Sequence, residues 1–310
     1  MAEKPRIAVL GAGLMGHGIA QDFAVHGYQV HLYARSQARL DQALQNVQSG
    51  LALLQRLGRL SPEQAAATLP RIRTGTTLEV LAADADLVVE AVSEDLALKQ
   101  QLFRTLDGAC PQRTILTSTT SALLPSALAR ATLRPDRVLV AHYFNPPALV
   151  PLVELVRGPE TSDETVATVR DVLLHLGKRP AIVQKEVPGF IGPRLQAALV
   201  REALSLVEQG VATPGDIDAV IKYSFGRRLA VAGVFEIGDL AGLDVYLSVA
   251  GPLFRALESS PEVSKVLRQK VEQGDLGVKS GQGFYTWTPE SAAALRDRIG
   301  RALIELAQFD

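Results

Sequence analysis

Gly11, Gly13 and Gly16 stand in the run Gly-Ala-Gly-Leu14-Met15-Gly, directly after the apolar run Ile7–Leu10 and directly before a helix-like stretch reaching Val25. Strand, glycine turn and helix in that order form the fingerprint of a dinucleotide pyrophosphate site. The first glycine permits a tight turn and the second lets backbone amides approach the phosphates. The third packs the helix close to the strand, with the anion at the helix's positive N-terminus. A turn required by packing alone is the rival reading. At the end of the second strand an Asp or Glu would bond a ribose 2′-hydroxyl. This chain instead reads Ala34-Arg35-Ser36. A guanidinium and a hydroxyl there suit a 2′-phosphate, so the local chemistry leans toward NADP over NAD, against the alternative of a solvated surface arginine.

His142 closes the run Val138-Leu-Val-Ala141, which puts an imidazole at the carboxyl end of a strand, where the ligand crevices of open α/β sheets lie. By position alone, a histidine beside Phe144 is also compatible with a packing role. His17, His26, His31 and His175 have no carboxylate partner at a recognisable spacing, and one cysteine with dispersed histidines gives no zinc pattern, so no metal is expected. Of 310 residues, 32 are basic and 33 acidic, a net charge of -1 that provides no global field to hold nucleic acid or an anionic membrane. Cys110 cannot form an internal disulfide, no signal or membrane-spanning stretch is evident, and a cytoplasmic location is expected.

The elements that must position these groups alternate in the first half. Strands are expected at Arg6–Leu10, Gln29–Tyr33, Asp86–Val92, Thr114–Ser118, Val138–His142, Leu152–Val156 and Ala181–Gln184. Several are apolar throughout, as a parallel strand covered on both faces requires. Ser61-Pro-Glu-Gln64 and Thr161-Ser-Asp-Glu164 read as capping boxes that start helices. Beyond Gln184 the strand-like runs stop, apolar residues recur at Leu195, Leu199, Ala203 and Leu206, and Thr213-Pro-Gly-Asp216 starts another helix. The fold class is therefore α/β, a Rossmann-like doubly wound, mostly parallel sheet in residues 1–186, followed by an all-α domain in 187–310.

Gly-Ala-Gly-Leu-Met-Gly-His-Gly-Ile-Ala20, Val88-Val-Glu-Ala-Val-Ser-Glu94-Asp with Lys99, Ser118-Thr-Thr-Ser121, His142-Tyr-Phe-Asn-Pro146, Pro188-Gly-Phe-Ile191 and Lys279-Ser-Gly-Gln-Gly-Phe-Tyr285 together resemble the 3-hydroxyacyl-CoA dehydrogenase family over nearly the whole chain. The resemblance implies an enzyme that reversibly oxidises a 3-hydroxy group with a nicotinamide cofactor, and a helical domain that builds a homodimer. It implies His142 as general acid/base, Glu154 as its orienting carboxylate and Ser121 as a hydroxyl on the reacting oxygen, a set suited to sending a proton to a base that titrates near neutrality. It places Glu94, Lys99, Asn145 and Lys279 beside Gly11, Gly13, Leu14, Met15, Gly16, Ala34, Arg35 and Ser36 as cofactor contacts.

One departure stands out. Where the acyl-CoA enzymes read Pro-Gly-Phe-Ile-x-Asn-Arg, this chain has Pro193 before Arg194 and lacks the amide. The stretch from His142 to Glu154 looks closer to branches that act on free hydroxy acids, such as gulonate or carnitine. The expected substrate is a 3-hydroxy acid or 3-hydroxyacyl thioester. A dehydrogenase for another carbonyl, aldehyde or imine, and a non-catalytic dinucleotide sensor both stay open.

Overall fold

The first strand, β1 (Ile7–Leu10), is buried at every position and feeds two cores. Ile7 and Val9 pack in one layer with Ile19, Phe23 and Leu40, while Ala8 and Leu10 pack in the other with Phe103, Leu106 and Leu128. Such a strand needs helices on both sides of its sheet. The computed structural model describes residues 4–309, and the chain divides into two compact units, Met1–Arg194 and Leu195–Asp310.

In unit 1 the chain runs from β1 into α1 (Leu14–Val25), β2 (Val30–Tyr33), α2 (Gln37–Arg56), α3 (Pro62–Thr68) and β3 (Ile72–Gly75). It returns through α4 (Leu78–Ala82) to β4 (Leu87–Glu90), α5 (Leu96–Ala109), β5 (Ile115–Ser118), α6 (Pro125–Ala129) and β6 (Val138–Tyr143). Then come β7 (Leu152–Arg157), α7 (Asp163–His175), β8 (Arg179–Val183) and the start of α8 (Gly192–Glu208). The eight strands form one sheet in the order β3-β2-β1-β4-β5-β6-β7-β8. Growth reverses direction at β1, which pairs in parallel with both β2 and β4, and that switch point opens a crevice at the carboxyl ends of the strands. β6 and β7 run antiparallel and β7 and β8 parallel, so the mostly parallel, doubly wound sheet read from the sequence is the one present.

Two local readings differ. β3 was not expected: Ile-Arg-Thr-Gly is short and polar, and as an edge strand it buries only Ile72, so it carries no apolar signature. The helix read as capped by Thr161 is capped by Ser162, whose hydroxyl accepts from the Thr165 amide at 3.1 Å. Thr161 is drawn inward instead and donates to the Val138 carbonyl at 2.5 Å. The Ser61–Gln64 capping box forms as read.

Unit 2 continues α8 and adds α9 (Pro214–Tyr223), α10 (Phe225–Leu229), α11 (Val234–Ala241), α12 (Leu243–Ala256), α13 (Lys265–Glu272) and α14 (Pro289–Leu306). Among the described residues, its one buried hydrophobic residue is Ala292, whereas Phe235, Leu240, Leu247 and Phe254 are exposed. No single helix among the described residues is long and apolar enough to cross a membrane.

Candidate active site

The three glycines prove unequal. Gly11 adopts φ +109, and a Cβ there would lie 2.5 Å from the Ala91 carbonyl oxygen. A Cβ on Gly16 would sit 1.7 Å from the Gly11 oxygen, so the fold itself excludes any side chain at either position. Gly13 has no protein atom within 4 Å of such a Cβ. Packing therefore does not explain Gly13, whereas a ligand approaching the backbone there does. Gly13 is also the N-cap of α1 and supplies no side-chain cap, so the first amides of that helix, at Leu14 and Met15, have no side-chain acceptor from the N-cap, as an anion site at a helix N-terminus requires. These residues fit a dinucleotide pyrophosphate.

Across the crevice, the antiparallel register of β6 and β7 sets His142 directly opposite Glu154. Directly paired residues hold their Cβ atoms about 5 Å apart, within reach of a side-chain hydrogen bond. The His142 Nδ1 lies 2.8 Å from Glu154 Oε2, and both side chains are buried. The other carboxylate oxygen, Oε1, accepts from the amides of Ile191 at 3.0 Å and Gly192 at 2.8 Å. Burial alone pushes the Glu154 carboxyl up. The His142 hydrogen bond, the two amides and the imidazole's charge outweigh it, so the group settles below the ordinary glutamate value. An ionised carboxylate only accepts, so the Nδ1 carries the hydrogen, and in the neutral form of the ring Nε2 is the nitrogen with the lone pair. That Nε2 lies 3.1 Å from the hydroxyl of the exposed Ser121, which follows β5. Hydroxyl, imidazole and carboxylate thus form one chain from the crevice surface into the sheet.

A second polar network underlies the Ser121 loop. Lys99, on α5, is fully buried, and its Nζ donates to Glu90 at 2.7 and 2.8 Å and to the Val92 carbonyl at 3.3 Å. Ser118 donates to Glu90 at 2.5 Å and accepts from the Thr120 amide, while the Thr120 hydroxyl donates to Glu94 and accepts from the amides of Ala122 and Leu123. Lys99, expected at the cofactor, is therefore buried, with its ammonium 3.5 Å from the half-exposed Glu94. Glu90, Ser118 and Thr120 complete this network. The signal available for Glu90 was a carboxylate closing the otherwise apolar run Leu87-Val-Val.

Ala34 is buried, and Arg35 and Ser36 are exposed at the end of β2, with Ser36 forming the N-cap of α2 without a side-chain hydrogen bond. Asn145 is exposed on the β6–β7 loop. That loop is held by Lys178, whose ammonium donates to Pro147 at 2.5 Å and pairs with Asp22 of α1 at 2.9 Å. Lys279 lies in unit 2, exposed on a turn bridged by Gly277 and Gln282. Pro193 is the second residue of α8. Among the described residues no group of three or more His, Cys, Asp or Glu could hold a metal ion.

Residues 6–187 match the NAD binding domain of 3-hydroxyacyl-CoA dehydrogenase and residues 189–287 match its C-terminal domain. The chain belongs to the 3-hydroxyacyl-CoA dehydrogenase family. Its relatives include 5-formyl-3-hydroxy-2-methylpyridine 4-carboxylate 5-dehydrogenase of Mesorhizobium japonicum, 36% identical over 98% of this chain and 97% of that one. A crystal structure of an enzyme of that activity, an NAD+ dependent dismutase, superposes with a TM-score of 0.92 at 35% identity, covering 99% of this chain and 98% of that one. A probable 3-hydroxybutyryl-CoA dehydrogenase of Bacillus subtilis is 36% identical over 94% of this chain and its whole length. The (S)-3-hydroxybutyryl-CoA dehydrogenase of Ralstonia eutropha superposes with a TM-score of 0.77 at 34% identity, covering 92% of this chain and 100% of that one. Membership in the 3-hydroxyacyl-CoA dehydrogenase family makes this chain an NAD-dependent oxidoreductase acting on the CH–OH group of 3-hydroxy compounds.

Proposed function

We propose that the chain oxidises a 3-hydroxy acid, free or as its thioester, to the 3-keto form, with His142 as general base and Glu154 as its orienting partner. The single observation that carries this reading is the Ser121–His142–Glu154 chain, ordered so that Nε2 and the Ser121 hydroxyl face each other at 3.1 Å with the carboxylate behind the ring. A nicotinamide cofactor supplies the hydride acceptor when bound. The substrate hydroxyl, hydrogen-bonded to Ser121, gives its proton to Nε2, and the imidazolium formed is stabilised by the Glu154 carboxylate behind it. In reduction, the same Nε2 returns the proton to the forming alkoxide. Gly11, Gly13, Leu14, Met15 and Gly16 hold the pyrophosphate, and Glu94 and Asn145 contact the dinucleotide, with Lys99 acting from beneath Glu94.

The chain accepts NADP at least as well as NAD, supported by Arg35 and by an N-cap hydroxyl, Ser36, that α2 does not use. It works in the cytoplasm as a homodimer joined through unit 2, supported by that unit's exposed apolar side chains. One observation favours a second reading, oxidation of a carboxylate-bearing aldehyde without CoA: the 0.92 TM-score is shared with a pyridine carboxylate dehydrogenase. Absorbance of reduced nicotinamide, followed with NAD and with NADP against 3-hydroxy acids, their CoA thioesters and aromatic formyl carboxylates, tests these readings together. Turnover confined to aldehydes replaces the leading reading by the second. Cofactor binding with no turnover in any arm removes both substrate readings, and a large NAD preference removes the role given to Arg35.

A further inference from the structure

We infer that Gly192 is a positioning residue for the His142–Glu154 pair, acting both through its amide and through the side chain it lacks. This rests on the reading of His142 and Glu154 as the proton-transfer pair. The amides of Ile191 and Gly192 stand at the N-terminus of α8 and converge on one oxygen, Glu154 Oε1, leaving Oε2 to His142. The donors that follow are already accounted for: Pro193 has no N–H, and the Arg194 amide bonds to the Gly189 carbonyl at 3.2 Å. The turn that delivers these amides is strained. Phe190 holds φ +48 directly after Gly189 at φ +75, a conformation a bulky residue keeps only where its surroundings enforce it.

The missing side chain matters equally. A Cβ at position 192 would lie 2.6 Å from Cζ and 3.1 Å from Cε1 of Phe144, and 3.4 Å from Glu154 Oε2. The Phe144 ring stands edge-on to the His142 imidazole, with centroids 4.7 Å apart, and Phe190 closes a second side at 5.7 Å. Any side chain at 192 must therefore push the ring that walls His142 or lift the amides from Glu154. Either movement disturbs the pair while leaving the glycine turn between β1 and α1 as it is.

A double-mutant cycle in the full-length protein tests this, with kcat, cofactor Kd, thermal melting and the proton resonance of the His142 Nδ1–H as readouts. Gly192→Ala is expected to lower kcat by roughly 10–100-fold, to shift or broaden the Nδ1 proton signal, and to leave cofactor Kd within about twofold. In a Phe144→Leu background the same change is expected to cost less than about threefold, because the opposing ring edge is gone. An equal cost in both backgrounds, an unaffected kcat, or a lowered kcat with the Nδ1 signal unmoved overturns the inference. Should Gly192→Ala not fold, a folded and active Gly192→Ala/Phe144→Leu protein supports it and an unfolded one overturns it. His142→Ala separates the two levels. Retained turnover there means the proton-transfer reading has failed, whereas an inactive His142→Ala beside a background-independent Gly192 cost fails the inference alone.

Discussion

At the scale of single residues, the candidate site depends on one carboxylate with both oxygens engaged. Glu154 Oε2 serves the imidazole and Oε1 serves two amides, so neither oxygen can leave without exposing a buried donor. His142→Ala is expected to lower kcat by roughly 10²–10⁴-fold, with cofactor Kd nearly unchanged, because the base is lost while the pyrophosphate cradle is not. Steady-state kinetics beside a direct cofactor titration check this, and full turnover in the variant would remove His142 from the chemistry. Glu154 also sets a pH dependence. Its folded pKa is depressed, so its contribution to stability is complete above the unfolded glutamate value of about 4.3 and is lost as pH falls toward the folded value. Denaturant midpoints of the native protein and Glu154→Gln are therefore expected to differ at pH 6 and to draw together as pH falls below the unfolded glutamate value of about 4.3. A constant gap across that range contradicts this account.

At the scale of elements, two devices fix the crevice: the glycine turn between β1 and α1, and the buried Glu90–Lys99 pair between β4 and α5. The glycines separate by experiment as they do by geometry. Gly13→Ala meets no protein atom, so the melting temperature is expected to hold while cofactor affinity falls. Gly16→Ala meets the Gly11 carbonyl and is expected to lose folded protein outright. Equal stability losses at both positions would contradict the assignment of Gly13 to a ligand. Lys99→Met leaves the Glu90 carboxylate buried without its partner, at about 3–5 kcal/mol. That corresponds to a fall of roughly 10 °C in melting temperature, readable by calorimetry. A shift of only a degree or two would show that Ser118 and the Val92 amide suffice to hold Glu90.

At the scale of the whole molecule, the two units differ in how they account for their apolar surface. Unit 1 buries its hydrophobic residues in two layers around the sheet. In unit 2, Phe235, Leu240, Leu247 and Phe254 are each at least 69% exposed, and no buried hydrophobic cluster among the described residues includes a unit 2 residue. Large apolar side chains left this exposed are what the proposed association through unit 2 would cover. Light scattering at micromolar concentration is expected to give twice the 33.2 kDa chain mass, and Leu240→Asp with Leu247→Asp to shift it toward the monomer. A monomer mass for the native protein removes the homodimer.

Sequence alone determined whatever is decided within a short window. The glycine turn, the Ser61 cap and the apolar strands follow from local sterics and periodicity, and the blocks that resemble the family lie in the same order as its elements. Windows of that size carry neither register nor burial. The pairing of β6 with β7 placed His142 opposite Glu154, and the Val187–Gly192 turn brought two amides to that carboxylate across a long stretch of chain. Burial set Lys99, expected at the cofactor, into an internal network with Glu90, and edge position hid β3, of which only Ile72 is buried. Each of these outcomes depends on which distant strand supplies the partner or excludes the water, a quantity fixed by long-range packing and by no residue's immediate neighbours.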